Sequence, residues 1–88
     1  MQISVVTIDD NTARAKGYLE WPTWERGVSR FAWHYDAIET CYLTRGKAVI
    51  ETEDGNVEIE AGDLVTFPSG LDCVWDIREP VGKHFQLS

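Results

Sequence analysis

Three residues of the sequence carry groups suited to acid–base or nucleophilic chemistry, namely Tyr35, Glu39 and Cys73. A low-dielectric cavity raises the pKa of a carboxyl group, so Glu39 in such a place would act as a general acid or base near neutral pH. Cys73 would be a nucleophile only where a neighbour lowers its pKa, and the sequence offers no evident base for it. The hydroxyl of Tyr35 would orient a ligand by a hydrogen bond.

A tryptophan lies two positions from two of these residues. Trp33 precedes Tyr35, and Trp75 follows Cys73. Side chains alternate between the two faces of a β-strand, so residues two apart share a face. Trp33 and Tyr35 are therefore predicted to point the same way, and so are Cys73, Trp75 and Ile77. The indole rings would stack on a planar or apolar part of a ligand.

The elements that must position these groups are short strands separated by turn signals every eight to ten residues. No helical period is evident, and polar residues 9–17 are predicted to form a loop or a single helical turn. We predict about nine strands or extended segments, at 3–8, 18–24, 28–35, 40–44, 47–53, 57–60, 64–67, 72–78 and 81–87. This pattern predicts an all-β fold, a small antiparallel β-barrel or jelly roll, in one domain over residues 1–88.

Composition narrows the class of protein. The 88 residues carry a formal net charge of −7, so no nucleic-acid partner is expected. The N-terminal sequence lacks the basic and apolar regions of a signal peptide, and no long apolar run predicts a membrane span. Two cysteines without a CxxC pair favour reduced thiols, and a cytoplasmic location is expected. A domain this small gains stability by pairing, so a homodimer is expected.

Two runs of sequence have a recognisable spacing of glycine, proline and polar residues. Gly27 to Gly46 reads GVSRFAWHYDAIETCYLTRG, and Gly62 to Cys73 reads GDLVTFPSGLDC. Together they resemble the two motifs of the cupin superfamily, Gly-x5-His-x-His-x3-Glu-x6-Gly and Gly-x5-Pro-x-Gly-x2-His. The four metal-ligand positions of those motifs are occupied here by Trp33, Tyr35, Glu39 and Cys73. Of these, Glu39 alone keeps the residue type of the superfamily.

Within the cupins, the sequence is similar to small single-domain members grouped with (S)-ureidoglycine aminohydrolase and the ethanolamine-utilisation cupins, a group that includes domains of unknown function. The Lys83-His84-Phe85 ending fits the same group. The residues that carry the likeness are Trp33, Tyr35, Asp36, Glu39, Tyr42, Gly62, Asp63, Val65, Phe67, Pro68, Gly70, Cys73 and Trp75. True ureidoglycine aminohydrolases have two cupin domains and a manganese site, so the resemblance implies the fold and the pocket and not the reaction.

The resemblance implies that the four ligand-equivalent side chains converge in one pocket inside the barrel. Glu39 and Cys73 are donors of mixed softness, and the indole of Trp33 offers no lone pair, so no metal cofactor is expected. A divalent transition metal at Glu39 and Cys73, with a further ligand such as His84, is the alternative. Burial of the Glu39 carboxylate is costly unless it serves a function or pairs with a cation. The candidate cations are Arg30, Arg45 and Lys83.

The sequence is compatible with three functions. The leading hypothesis is an uncharacterised small cupin that binds a small polar or carboxylated metabolite without a metal. One form of this hypothesis is an enzyme that also transforms the metabolite. In that reading Glu39, Tyr35 and Cys73 are the catalytic residues, and Trp33, Trp75 and Lys83 bind the ligand. The second is a non-enzymatic accessory or sensor protein whose pocket is filled by packed aromatic residues. The third is a metalloenzyme with a rebuilt site.

Overall fold

The chain folds into a single antiparallel sheet with one short helix. The computed structural model describes residues 1–88, with β1 Ser4–Thr7, α1 Asp10–Ala15, a 3-10 turn at Tyr18–Glu20, β2 Thr23–Arg26, β3 Ser29–His34, β4 Glu39–Thr52, β5 Gly55–Glu60, β6 Asp63–Phe67 and β7 Asp72–Leu87. The strand order is β1-β6-β4-β7-β2, with β3 also paired to β7 and β5 to β4, and every pair is antiparallel. The predicted all-β class, a small antiparallel jelly-roll barrel, is confirmed.

The two long strands, β4 and β7, belong to both halves of the sheet. The first half of β4, residues 39–42, pairs with β6 on one side and with residues 84–87 of β7 on the other. The second half of β4, residues 47–52, pairs with β5 and with the first half of β7. Because both strands change partners midway, the sheet bends there and encloses a core between its halves.

The structure has seven strands where nine were predicted, because two predicted breaks are bends inside continuous strands. Arg45-Gly46, predicted as a hairpin-like break between strands 40–44 and 47–53, lies within β4. Gly46 has φ +91° there, and the pairing with β7 shifts register. Pro80 lies opposite this bulge within β7, and the Nε of Arg45 donates to its carbonyl oxygen over 3.4 Å. A bulge accommodates an extra residue and bends the strand without ending it, which the local sequence cannot distinguish from a turn.

Thirteen buried residues form the core, and Trp75 is its largest side chain. Its indole is parallel to the ring of Phe31, with centroids 6.3 Å apart and planes at 5°. Trp24 and Phe67 approach the same indole at 5.9 and 5.8 Å. Aromatic contacts in these geometries add to the free energy gained by burying the rings, so this cluster fixes one end of the barrel interior.

The segment predicted as a loop or a helical turn contains α1, a helix of six residues. Asp9 caps it by accepting a hydrogen bond from the backbone N–H of Thr12 over 2.6 Å, which is the usual role of aspartate at a helix start. Ala13 is the one completely buried residue of the helix. Neither this helix nor the 3-10 turn approaches the length and apolar character needed to cross a membrane.

The close approach of β4 to β7 leaves no room for a side chain at position 46. The variant Gly46→Ala tests this. A Cβ there would lie 2.7 Å from the carbonyl carbon of Pro80 and 2.8 Å from the carbonyl oxygen of Glu79. We expect Gly46→Ala to lose unfolding free energy for two reasons, overpacking of roughly 1–3 kcal/mol and a backbone strain of similar size. Urea denaturation measures the loss. Gly55→Ala is the matched control, because Gly55 also has positive φ but has no atom within 4 Å of the added Cβ. Equal losses in the two variants would contradict the proposed contact.

Candidate functional site

The interior of the barrel is lined by alternate residues of the two long strands. Glu39, Cys41 and Leu43 occupy alternate positions of β4, and all three are buried. They lie opposite Leu87, Phe85 and Lys83 of β7, and residues paired directly across two strands share a face of the sheet. The strand register therefore brings Lys83 and Glu39 into the same interior, although 44 positions separate them in the sequence.

At one end of this interior lies a cavity of about 300 Å³ that opens to solvent. Five of the six residues predicted to form the site line it: Trp33, Tyr35, Glu39, Trp75 and Lys83. The sixth, Cys73, is buried and lies opposite Trp33 in the β3–β7 pairing, outside the lining. The lining also includes residues that the sequence did not single out for the pocket, namely Trp24, Phe31, His34, Asp36, Ala37, Phe85 and Leu87.

A buried ion pair forms the polar part of the cavity wall. Lys83 Nζ donates to Glu39 Oε2 over 2.6 Å, and the two side chains are 7% and 10% exposed. Of the three cations considered as partners for Glu39, the structure selects Lys83, while Arg30 pairs with Glu51 on the surface. The Lys83 ammonium also lies 4.9 Å from the ring centroid of Trp24 and 4.8 Å from that of Trp75, and a third ring, that of Phe85, lies 6.0 Å away. Carboxylate and aromatic faces both stabilise a buried cation.

Tyr35 is held in the cavity wall from several directions. Its backbone N–H donates to the carbonyl oxygen of Leu71, and its carbonyl oxygen accepts from the N–H of Gly70. Its ring stacks on Phe67 with centroids 4.5 Å apart. Its hydroxyl oxygen accepts from Nε1 of Trp75 over 3.1 Å. Burial, followed by the nearby Glu39 charge, raises the pKa of Tyr35 well above its usual value, so the phenol stays protonated.

Cys73 is a protonated thiol at neutral pH. Burial, followed by the negative charge of Asp72, raises the pKa of Cys73 to about 11, although the Lys83 charge opposes the rise. Burial likewise raises the pKa of Cys41 to about 12. Both cysteines are free. Since the thiolate is the nucleophile, neither sulfur is activated in this structure.

The rim of the cavity combines an exposed indole with a polar cluster. Trp33 is 49% exposed and meets Phe31 edge to face. The side chain of His34 is half exposed. Its Nδ1 lies 2.7 Å from a carboxylate oxygen of Asp72, and its Nε2 lies 3.3 Å from one of Asp36. Strand alternation alone does not reveal that His34 and Asp36 reach the cavity, because both lie where β3 ends and the chain turns.

Most of the aromatic residues that the sequence analysis did not place in the cavity could have been found from strand alternation, once the pairing of the strands is known. Phe31 is two positions before Trp33 on the same face of β3, and Phe85 is two positions after Lys83 on the same face of β7. Trp24 lies in β2, opposite Lys83. The rings of Tyr18 and Trp21 contact each other with centroids 4.7 Å apart and do not line the cavity.

Comparison with known proteins identifies the family. The sequence matches the EutQ-like cupin domain family over residues 13–85. The fold matches the crystal structure of a DUF861 family protein from Thermotoga maritima with a TM-score of 0.92 and 44% identity, covering 99% of this chain and 100% of that one. The chain belongs to the EutQ-like cupins. No curated protein sequence is significantly similar to it.

Two more distant structures share the fold of this EutQ-like cupin. The EutQ protein of Clostridium difficile is 18% identical with a TM-score of 0.68, covering 74% of this chain and 52% of that one. A putative ethanolamine utilization protein Q from Salmonella typhimurium LT2 is 12% identical with a TM-score of 0.68, covering 99% and 69%. At these identities the likeness extends to the fold alone.

Cupins commonly hold a metal, and the residues of this cavity do not fit one. One oxygen of Glu39 is bonded to the Lys83 ammonium, whose positive charge opposes a second cation beside it. Trp33 offers no lone pair, and the hydroxyl of Tyr35 and the thiol of Cys73 keep their protons at neutral pH. No group of three or more His, Cys, Asp or Glu side chains in the structure is arranged to hold a metal ion.

The Lys83–Glu39 ion pair is testable by a double-mutant cycle of Lys83→Met and Glu39→Gln. Removing one partner leaves the other buried without compensation, so we expect Lys83→Met to lose roughly 3 kcal/mol of unfolding free energy. The double variant should lose less than the sum of the single losses, with a coupling of about 1 kcal/mol or more in urea denaturation. The exposed pair of Lys47 and Glu79, 3.6 Å apart, is the control, and Lys47→Met should have little effect. A coupling near zero would contradict a direct interaction.

The protonation of Cys73 predicts slow modification by Ellman's reagent. At pH 8 its raised pKa, about 11 against 9.0 for an ordinary cysteine, lowers the thiolate fraction, and so the reaction rate, about 100-fold. We expect the folded protein to react at least this much more slowly than the same protein in urea, where both thiols are accessible. Rapid reaction of one thiol in the folded Cys41→Ala variant would show that Cys73 is activated.

Proposed function

We propose that this EutQ-like cupin binds a small planar organic metabolite in the aromatic cavity, without a metal, and recognises its polar end through Glu39, Lys83 and Tyr35. The observation that carries the proposal is a buried ion pair in the wall of a cavity that is otherwise mostly aromatic and open to solvent. Small-molecule sites have this character, since apolar walls provide contact area and a few polar groups fix the orientation.

Structural stability alone is a weak explanation for the ion pair. Desolvating two charges costs free energy, and apolar residues of similar volume often stabilise a protein as well or better. In this cavity the pair also lies beside Trp24 and Trp75, where an apolar side chain would extend the aromatic packing. Contact with a ligand would explain why two charged side chains are kept beside these rings.

Chemistry on the bound ligand is a second candidate function. Glu39 and Lys83 are an acceptor and a donor 2.6 Å apart on the cavity wall, which suits the transfer of a proton to and from a ligand. Glu39 is then the acid–base group and Tyr35 an orienting donor. Cys73 is a weaker candidate for a direct role, because it lies outside the lining. Turnover of a bound compound, followed by mass spectrometry, separates an enzyme from a binding or sensor protein.

The open volume bears on the non-enzymatic alternative. A protein with a closed pocket would have Trp33, Trp75 and Leu43 filling the barrel mouth. Here Leu43 and Trp75 are packed in the core while Trp33 stays at the rim, and about 300 Å³ is left between the walls. That space favours a ligand-binding role over a purely structural one, and a sensor would use the same cavity.

A pair of substitutions tests whether the cavity is the binding site. Ala37 lines the cavity and Ala32 is exposed on β3 away from it, so Ala37→Trp should obstruct the site and Ala32→Trp should not. We would screen planar metabolites by saturation-transfer difference NMR. Compounds that bind the wild type are expected to bind Ala32→Trp equally and to lose at least about tenfold in affinity for Ala37→Trp. Binding that survives Ala37→Trp, or a screen without any ligand, would reject the proposal.

A further inference from the structure

The polar groups of the cavity specify the chemical class of the ligand. Resting on the function proposed above, we propose that the ligand's polar end is an uncharged group with a hydrogen-bond donor beside an acceptor, such as the primary carboxamide of an aromatic or heteroaromatic amide. Glu39 accepts from its N–H, and Tyr35 and Lys83 donate to its carbonyl oxygen.

Glu39 provides the acceptor. Its Oε2 accepts from Lys83, and this is the one hydrogen bond that the carboxylate makes. No buried side-chain nitrogen or oxygen in the structure lacks a partner. Oε1 has none and is therefore accessible, and Glu39 lines the cavity. A ligand N–H is the group that this anionic oxygen would bind most strongly.

Tyr35 and Lys83 provide the donors. The hydroxyl of Tyr35 accepts from Nε1 of Trp75, which leaves its own proton free to donate. The raised pKa of Tyr35 keeps that proton in place. Lys83 has three N–H donors, of which one binds Glu39. Because all three side chains line one cavity, a donor–acceptor group on the ligand can contact them together.

Charge balance excludes the ionised relatives of an amide. Lys83 and Glu39 neutralise each other within 2.6 Å, with little exposure to solvent. A carboxylate ligand would bring a second negative charge next to Glu39, and Asp36 at the rim adds another, while His34 is already shared between Asp36 and Asp72. A cationic ligand would meet the ammonium of Lys83. Beside this buried ion pair either excess charge is costly, whereas an amide adds none.

The aromatic walls favour a planar body attached to this group. The rings of Phe31 and Trp75 are parallel, and Trp24 is inclined to both at 55° and 59°. Flat aromatic ligands pack against such faces and edges. A cavity of about 300 Å³ is at the lower limit for small-molecule sites, so the ligand is a single ring or a fused pair rather than a larger molecule.

Three probes of nearly equal shape test the class: benzamide, benzoate and benzamidine. We would titrate each into ¹⁵N-labelled protein and follow the amide signals of cavity residues and the indole N–H of Trp75. We expect benzamide to bind at least about tenfold more tightly than either ion, which corresponds to one well-placed hydrogen bond to a charged group. Tyr35→Phe, which keeps the ring and removes the donor, should weaken benzamide about fivefold or more.

Glu39→Gln supplies a test in which the preference reverses. It keeps the size of the side chain and leaves the Lys83 charge unbalanced, so benzoate should become the tightest of the three probes. Benzoate or benzamidine binding most tightly to the wild type would overturn the amide assignment and leave the proposed cavity function standing. The same holds if other compounds bind in an Ala37→Trp-sensitive manner while no probe does. Failure of all probes and all library compounds would overturn both proposals.

Discussion

The close approach of β4 and β7 at Gly46 and Pro80 is the constraint on which the rest of the structure depends. Gly46 has φ +91° and faces the backbone of Glu79 and Pro80 with no room for a side chain. The bulge at this point lets both long strands bend without ending, so that each serves both halves of the sheet. The bend closes the barrel, and closure turns the faces of Glu39 and Lys83 towards a common interior.

Inside that interior, the Lys83 ammonium provides a fixed positive charge next to a carboxylate. The ring centroids of Trp24 and Trp75 lie 4.9 and 4.8 Å from the Lys83 ammonium, and the faces of these rings stabilise the cation. The proposed ligand would meet a charge that is already oriented, so its binding would need little reorganisation of these side chains. The polar part of the cavity wall in this EutQ-like cupin is therefore an ion pair packed against aromatic rings.

The two motifs could be recognised without their histidines because their glycines serve the backbone. Gly46, Gly62 and Gly70 all have positive φ, at +91°, +98° and +85°, a region that other residues enter only with strain. Gly62 donates its N–H to the carbonyl oxygen of Leu43, and Gly70 donates to that of Tyr35. These glycines shape the bulge in β4 and the turns before and after β6. Their spacing therefore persists when the side chains in the pocket change, and it indicates the fold more firmly than the function.

The sequence by itself determined the all-β class and the faces of the main strands, because a period of two assigns side chains to faces wherever one face is buried. Its resemblance to the cupin motifs, added to this alternation, indicated five of the residues that line the cavity. Only the tertiary structure decided that Lys83 is the partner of Glu39, that Cys73 lies outside the lining and that β4 and β7 are continuous. Those outcomes depend on strand register and on a bulge, which arise from contacts between residues far apart in the chain. Local patterns contain no record of such contacts.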